Sequence, residues 1–240
     1  MEILGFKLYI SDFSLVAYVI LYLPLAWLLF KLLRRLIVRG LPDAYRGAGK
    51  VVLLLALLTL PYWDSFAISY QANRLCAAEG GLHVYDTAEV EGFYGDPSIE
   101  YWSKHGFRYV ENYIKRDGKT LRYEMHQGEP REIESDVTLS RYSIYASTAP
   151  VSGRIERWEY YVAEISSGTK LGTLVFFKIK PGRFDKLAIG LSGFTFTPWF
   201  CGDTNPKYPR EKLDLTDVVK KVLIPKTFQG EKSDGDKGTI

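Results

Sequence analysis

The feature that most constrains this chain is an apolar run near its N-terminus that contains no charge. Residues 13–30 read FSLVAYVILYLPLAWLLF, and further apolar residues extend the pattern to residue 38. A helix of about 20 such residues spans the hydrocarbon core of a bilayer. Pro24 is tolerated there because neighbouring helices can satisfy the carbonyl that it frees. The run predicts a transmembrane helix over residues 13–38, after a short non-cytoplasmic N-terminus of residues 1–12.

A cleaved secretory signal peptide is the main alternative for this run. The residues before it hold only Lys7 as a basic residue, together with Glu2 and Asp12. A basic cluster follows the run at the place where a small-residue cleavage site would lie, and the run is too long for a signal peptide. We therefore expect the helix to be retained.

A second apolar segment, residues 51–70, reads VVLLLALLTLPYWDSFAISY and is interrupted only by Asp64. The aromatic pair directly before Asp64 is typical of a membrane interface, so we expect this carboxylate near headgroup depth. Asp64 is the candidate functional residue at that interface. A solvated carboxylate is the simpler interpretation, and an intramembrane ion or proton site is the sharper one. The helical pattern continues as a stalk to residue 79, before Gly80 and Gly81 end it.

The orientation follows from basic residues between the two apolar segments. Cytoplasmic connections are enriched in lysine and arginine, so the loop of residues 39–50 is predicted to be cytoplasmic. Everything after residue 70 then lies on the non-cytoplasmic side, which is the periplasm if the source is a bacterium and the membrane its inner membrane. The cluster also accounts for the formal net charge of +3, so no nucleic-acid partner is expected. The topology-determining residues are Lys31, Arg34, Arg35, Arg39, Arg46 and Lys50.

The remainder, residues 80–226, alternates polar and apolar residues in the manner of β-strands. The strongest local signal is the Asp117-Gly118 pair between two alternating runs, which is typical of a hairpin turn. Residues 158–165 and 170–180 predict a second hairpin, and residues 186–200 predict a glycine-punctuated aromatic strand region.

About seven strands joined by short turns predict a mainly antiparallel domain, arranged as a meander, a sandwich or a partly open barrel. A short C-terminal helix is predicted to begin at Thr216 as N-cap and to end at Pro225. Residues 227–240 are polar and rich in glycine, which predicts a disordered tail. The predicted fold class is therefore membrane-anchored α+β.

The chain has two cysteines, Cys76 and Cys201, and the predicted topology places both outside the cytoplasm. Disulfides form in oxidising compartments, so a single bridge between them is predicted. Two buried free thiols are the alternative.

Catalytic motifs are missing from the sequence. The three histidines, His83, His105 and His126, are about twenty residues apart and have no second ligand at a fixed spacing, so no metal or cofactor is expected. Ser192 lacks the flanking glycine spacing of a nucleophile elbow. The carboxylates Glu156, Glu159 and Glu164 are interpreted as a solvated strand face, and an enzyme is less expected than a binding protein.

The leading functional hypothesis is a non-enzymatic, two-pass inner-membrane protein. Its exported β domain would bind or assemble another envelope or membrane protein, with the lipid bilayer as its second partner and an oligomer as an option. A membrane-coupled sensor with a small-molecule-binding β domain is the alternative. An envelope hydrolase is a second alternative.

Overall fold

The computed structural model of the chain describes residues 2–3, 6–36, 40, 42–114, 119–205, 207–208 and 211–226. The chain divides into two compact units, and each contains segments that are distant in sequence. The first unit comprises Met1–Gly81, Thr148–Trp158 and Val175–Thr204. The second comprises Leu82–Ser147, Glu159–Leu174 and Asn205–Ile240.

The first long helix is continuous over Asp12–Leu36. It consists of α1 (Asp12–Ala17), a π-helical turn (Tyr18–Tyr22) and α2 (Leu23–Leu36). The wide turn lies directly before Pro24, which has no N–H and whose ring crowds the preceding turn of an α-helix. A π-helical turn is one of the known ways to relieve such crowding. The proline is therefore accommodated inside the helix.

The second long helix comprises α3 (Asp43–Thr59), a 3-10 turn (Leu60–Tyr62) and α4 (Trp63–Glu79). It begins at Asp43, so Arg46 and Lys50 of the expected loop lie in helical backbone. The predicted stalk is helical as far as Glu79. Both long helices are long and apolar enough to cross a membrane.

Two tyrosines of the first helix bind carbonyls of the second helix beside its own proline. Pro61 cannot donate a hydrogen bond to the Leu57 carbonyl four residues earlier. The Tyr22 hydroxyl donates to that carbonyl at 2.6 Å, and the Tyr18 hydroxyl donates to the Leu58 carbonyl at 2.8 Å. In an apolar environment an unpaired carbonyl would be costly, so these bonds hold the two helices together at this level.

The rest of the chain is mainly sheet. Its helices are α5 (Ile99–Ser103), α6 (Arg183–Ser192) and α7 (Leu215–Val222). The described strands are β1 (Glu2–Ile3), β2 (Phe6–Lys7), β3 (Gly81–Val84), β4 (Ala88–Val90), β5 (Gly92–Tyr94), β6 (Tyr109–Ile114), β7 (Lys119–His126), β8 (Glu129–Ser135), β9 (Tyr142–Ser152), β10 (Ile155–Glu164), β11 (Lys170–Ile179), β12 (Trp199–Cys201) and β13 (Leu223–Pro225).

Nine of the described strands form one sheet in the order β12-β11-β10-β9-β5-β6-β7-β8, with β3 paired to β11. Its strands are mixed, which corrects the prediction of a mainly antiparallel domain. β5 runs parallel to both β6 and β9, and β13 runs parallel to β4 in a separate pair. The chain passes from β5 to β6 through α5, and a crossover of this kind returns the next strand in the same direction.

The hairpin predicted around Asp117-Gly118 is present, because β6 and β7 pair antiparallel up to Ile114 and Lys119. The turn residues themselves lie outside the described residues. The second predicted hairpin is represented by β10 and β11, which are neighbours in the sheet. A third hairpin, β7-β8, was not predicted. Its two-residue turn is Gln127-Gly128, and both residues have positive φ, as a type I′ turn requires.

The prediction of a strand region over residues 186–200 is largely wrong, because α6 occupies Arg183–Ser192 and only Trp199–Cys201 form a strand. The helix begins after Gly182 and ends at Gly193, whose φ of 75° is typical of a helix stop. The alternating aromatics that favoured a strand lie mainly beyond this helix.

The predicted C-terminal helix is present, with corrected ends. Its N-cap is Asp214 and not Thr216, because the Asp214 side chain accepts hydrogen bonds from the Thr216 and Asp217 N–H groups. The Asp217 carboxylate in turn accepts a hydrogen bond from the Asp214 N–H, which completes a capping box. The helix ends at Val222, and Leu223–Pro225 continue as β13.

Two apolar clusters are present among the described residues of the first unit. One joins the second long helix to the strands and has Ala72, Ile155, Phe177, Ile179 and Cys201 among its buried members. The other gathers Leu8, Ile10 and Tyr62, with Phe184 from α6 packed against it. These clusters position both long helices, α6 and the strand ends of the first unit as one packed body.

Candidate functional site at the base of the long helices

A completely buried carboxylate, Asp185, lies in the first turn of α6. Its Oδ1 accepts hydrogen bonds from the Ser11 N–H at 2.9 Å, the Ser11 hydroxyl at 3.0 Å and the Ser14 hydroxyl at 2.6 Å. Its Oδ2 accepts a hydrogen bond from the Ser65 hydroxyl at 3.2 Å. All four donors are neutral, and they come from the start of the first helix and the middle of the second. One side chain therefore connects three segments.

Asp64, the predicted interface residue, lies beside this network and is not a simple solvated carboxylate. Its Oδ2 is 2.7 Å from the Arg154 guanidinium and accepts a hydrogen bond from the Arg183 N–H at 2.8 Å. Arg154 also donates to the Pro181 carbonyl at 3.1 Å. Both members of the ion pair are about a quarter exposed. Asp64 therefore fixes the start of α6 and the β9-β10 turn to the second helix.

Gly182 allows these groups to approach each other. A Cβ at this position would lie 2.0 Å from the Ser65 hydroxyl and 3.3 Å from carboxylate oxygens of Asp64 and Asp185. The backbone has an ordinary negative φ, so the requirement for glycine here is steric. Any larger residue would push the two acidic side chains away from their partners.

The polar groups of this site bind one another and hold the segments together. Both carboxylate oxygens of Asp185 accept hydrogen bonds. The Asp64 oxygen that contacts Arg154 also accepts a hydrogen bond from the Arg183 N–H. Ser14 is buried, and its hydroxyl oxygen also accepts a hydrogen bond from the Tyr62 hydroxyl at 3.4 Å. The serines therefore orient a carboxylate, and none of them is arranged as a nucleophile with a base. The network acts to hold α6 against both long helices.

The predicted disulfide is present between Cys76 and Cys201, with a Cα–Cα distance of 5.9 Å. It joins the end of the second long helix to β12. The backbone is closely packed beside the bridge. A Cβ added to Gly80 would lie 3.0 Å from the Cα of Gly202, and a Cβ added to Gly202 would lie 3.0 Å from the Cα of Gly80. Nearby, burial and, to a smaller degree, the charge of Asp203 raise the pKa of Tyr9 to about 12.

The structure separates the predicted topology residues from this site. Lys31, Arg34 and Arg35 lie in α2 and Arg46 and Lys50 lie in α3, whereas Arg39 lies outside the described residues. They occupy the helix ends that are linked by the connection between α2 and α3. Asp64 and Asp185 lie toward the other end of the helices.

The three histidines are not brought together as metal ligands. His83 lies in β3 and is partly buried, whereas His105 follows α5 and His126 ends β7, both exposed. Among the described residues no group of three His, Cys, Asp or Glu side chains could hold a metal ion. Ser192 is at the end of α6, where its hydroxyl donates to the Ile189 carbonyl at 2.6 Å.

The interpretation of the β10 carboxylates as a solvated face needs one correction. Glu159 is buried and lies 2.6 Å from the ammonium of Lys170 on β11. Glu156 pairs with Lys178 and Lys180, and Glu164 with Arg141, at half-buried or exposed positions. Hydrogen bonds from Ser167 and Arg141 lower the pKa of Glu164.

The second unit has a buried carboxylate of its own. Glu111 on β6 is fully buried, and it accepts two hydrogen bonds from the Arg122 guanidinium at 3.1 and 3.0 Å. The Leu139 and Ser140 N–H groups also donate to it, the latter at 2.8 Å. This network fixes the segment after β8 to the middle of the sheet.

Sequence reasoning did not find Asp185, Arg154 or Glu111. Asp185 is 174 residues from Ser11 and 120 from Ser65. A local signal for α6 was present, because Pro181-Gly182 precedes it and Gly193 follows it. The convergence on Asp185 had no such signal. No family model, no curated protein and no solved structure matches this chain.

Proposed function

We propose that this chain is a two-pass membrane protein whose sheet-bearing region is a non-enzymatic binding or assembly module for another cell-envelope component. The observation that carries the proposal is the exposure of the two long helices. Only 11% and 17% of their most apolar windows is buried. A core helix of a water-soluble protein would bury such a surface against its neighbours. A bilayer covers it in the proposed arrangement.

The proposed orientation places the connection between α2 and α3 in the cytoplasm and the sheet outside it. Basic residues near that connection favour this side. The disulfide between Cys76 and Cys201 supports the same orientation, because disulfides persist in oxidising compartments and are rare in the cytosol. In a bacterium the sheet would lie in the periplasm and the helices in the inner membrane.

This orientation is tested by labelling the cysteines of the full chain in whole cells with a membrane-impermeant maleimide. We expect no labelling without reductant and labelling of both cysteines after an impermeant reductant is added. Labelling only after the cells are lysed would reverse the proposed orientation.

The partner-binding surface that we propose is an exposed apolar patch in the second unit, formed by Tyr113, Val137 and Leu139. Their exposed fractions are 51%, 63% and 57%. Two contacts bring their segments together: Tyr113 is opposite Thr120 in the β6-β7 register, and the Thr120 hydroxyl is 3.1 Å from that of Thr138, the residue between Val137 and Leu139. Grouped apolar side chains of this kind mark protein interaction sites.

The neighbouring edge strand is protected against pairing with another chain. β8 reads EPREIES, with charges and Pro130 along a strand that ends the sheet. Such residues discourage edge-to-edge association. This contrast favours the apolar patch over the sheet edge as the binding surface.

A photoreactive amino acid placed at position 139 of the full chain in cells tests this proposal. We expect it to crosslink to one envelope protein, and the same group at exposed position 132 on β8 to serve as the matched control without that product. Leu139→Asp should abolish the association while the protein stays in the membrane. Equal crosslinking from both positions, or none from position 139, would refute the proposed binding surface.

A second candidate function, a small-molecule sensor, is favoured by one cavity of about 580 Å³ in the second unit. Its lining includes the acidic Glu89 and Glu91, the basic Arg141 and Lys226, and the aromatic Tyr109. Mixed charges around such a volume suit a polar, charged ligand. A rise in melting temperature with a charged metabolite, lost in Arg141→Gln, would favour this function over the first. An envelope hydrolase gains no support from the arrangement of the described residues.

A further inference from the structure

The helix α6 is firmly held on one side and strongly apolar on the other. Asp185, Ala188 and Ile189 are buried, whereas Leu187 and Leu191 are 59% and 75% exposed. A ten-residue helix that is fixed by a buried carboxylate has no freedom to turn these leucines inward. An amphipathic helix with this pattern is stable at a membrane interface, where its apolar side enters the acyl region.

An apolar groove lies beside these leucines, between α6 and the two long helices. It encloses about 330 Å³ and is lined by Leu21, Leu25, Leu60 and Phe184, together with both exposed leucines of α6. All of these residues belong to the first unit. The groove lies at the level where Pro61 interrupts the second long helix. A volume of this size and composition suits a hydrocarbon chain.

A basic depression of about 530 Å³ adjoins the groove and shares Leu187 and Leu191 with it. It is lined by three cations, Arg154, Arg183 and Lys186. Arg154 is paired with Asp64, but among the residues that the structure describes no acidic side chain lies within ion-pair distance of Arg183 or Lys186. The depression therefore offers two cations outside any described ion pair, directly beside an apolar groove.

We propose that these adjoining surfaces form a binding site for an anionic phospholipid. Its phosphate lies against Arg183 and Lys186, and one acyl chain occupies the groove beside Leu187 and Leu191. A soluble anion satisfies only the cations, and a zwitterionic lipid brings its own cation toward them. An anionic lipid matches both surfaces at once. The inference rests on the proposed membrane insertion, and it adds the chemistry of a specific lipid ligand.

Native mass spectrometry of the full chain in detergent micelles tests the proposal. Dioleoylphosphatidylglycerol and dioleoylphosphatidylcholine have the same acyl chains, so their retained adducts report the headgroup alone. Each basic residue near an anionic headgroup contributes roughly a fivefold preference, so two cations predict a preference of about 30-fold. Arg183→Gln with Lys186→Gln should remove most of that preference. The matched control, Lys104→Gln with Lys221→Gln, removes two exposed charges of the second unit and should keep it.

A second variant tests whether the lipid occupies the basic depression, which Gly190 lines. Gly190 is exposed and an added Cβ there meets no atom within 4 Å, so Gly190→Leu can narrow the depression with no clash at its Cβ. It should lower the retention of both lipids, while its melting temperature stays at or above that of the wild type. Glycerol phosphate supplies the anion without the acyl chains and should not displace phosphatidylglycerol.

Several results would overturn the proposal. They are equal retention of both lipids by the wild type, an unchanged preference after loss of Arg183 and Lys186, and displacement by glycerol phosphate, which would identify a site for a free anion. Extraction of membranes at alkaline pH separates this failure from that of the proposed function. A chain that resists extraction but shows no lipid preference contradicts only the lipid site, whereas an extracted chain contradicts the membrane insertion itself.

Discussion

Replacement of Asp185 by alanine should be among the most destabilising single changes in the first unit. The side chain is completely buried and accepts hydrogen bonds from the Ser11 N–H and from the hydroxyls of Ser11, Ser14 and Ser65. Asp185→Ala removes the acceptor of all four bonds; it leaves the Ser14 and Ser65 donors fully buried and the two Ser11 donors half-buried. The cost comes mainly from those donors.

The magnitude follows from what each donor can do afterwards. A buried donor without a partner costs about 1–3 kcal/mol, so four of them set an upper limit of roughly 4–12 kcal/mol. The Ser14 hydroxyl already has a second acceptor, the Ser11 carbonyl at 3.0 Å, and serine hydroxyls can rotate. The Ser11 N–H cannot rotate. We therefore expect a loss of about 3–5 kcal/mol in the free energy of unfolding, a large part of the ~5–15 kcal/mol typical of a folded protein.

The assay is thermal and denaturant unfolding of the full chain in detergent, followed by near-UV circular dichroism. Asp185→Ala should lower the melting temperature by roughly 10 °C or more. Asp185→Asn keeps one acceptor oxygen and should cost about half as much, and Ser65→Ala, which loses one long bond, should cost about 1 kcal/mol. Ordinary surface substitutions change the free energy of unfolding by less than about 0.5 kcal/mol. If the free energy of unfolding of Asp185→Ala were that close to the wild-type value, the reasoning about this network would be refuted.

Three further changes should have measurable effects on the stability of the full chain. Cys76→Ser with Cys201→Ser opens a loop with a sequence separation of 125, which should lower the free energy of unfolding by about 5 kcal/mol in the chain-entropy treatment. Reductant should cause the same loss of stability in the wild type and no loss in the variant. Gly182→Ala should cost about 1–3 kcal/mol through overpacking, whereas Gly190→Ala, a glycine with open space in the same stretch of chain, should be neutral or stabilising; equal melting temperatures would contradict the steric argument. Glu111→Gln should cost roughly 2–4 kcal/mol, because an amide N–H then faces donors in a buried site, and urea unfolding that matches the wild type would contradict this expectation.

The polar network and the lipid site have complementary roles in the proposed arrangement. Asp185 and Asp64 hold α6 in one position, and that position determines where Leu187, Leu191 and the nearby cations lie. Asp185→Asn should therefore weaken lipid retention as well as stability, whereas Arg183→Gln should weaken lipid retention alone. Measurement of both quantities in both variants separates a change in the support from a change in the contact surface.

The sequence by itself determined the parts of the molecule that depend on local pattern. An uninterrupted apolar run predicts a long helix whatever surrounds it, and the stalk to residue 79 ends at glycine for a local reason. The β6-β7 hairpin follows from alternating polar and apolar residues around the Asp117-Gly118 pair. The disulfide follows from the presence of two cysteines on the same predicted side of the membrane. Each of these features is encoded in neighbouring residues, or in the small number of residues of one type.

Tertiary structure alone decided what those elements bring together. Alternating aromatics near residues 194–200 favoured a strand, but burial of Asp185, Ala188 and Ile189 makes the preceding segment a helix. The mixed direction of the sheet follows from the position of β5, which lies between β6 and β9 and runs parallel to both. Asp64 was visible in the sequence, whereas its partner Arg154 was not, since an ion pair depends on distance in space. The functional candidates of this chain lie where distant segments converge, and convergence is a property of the packed fold.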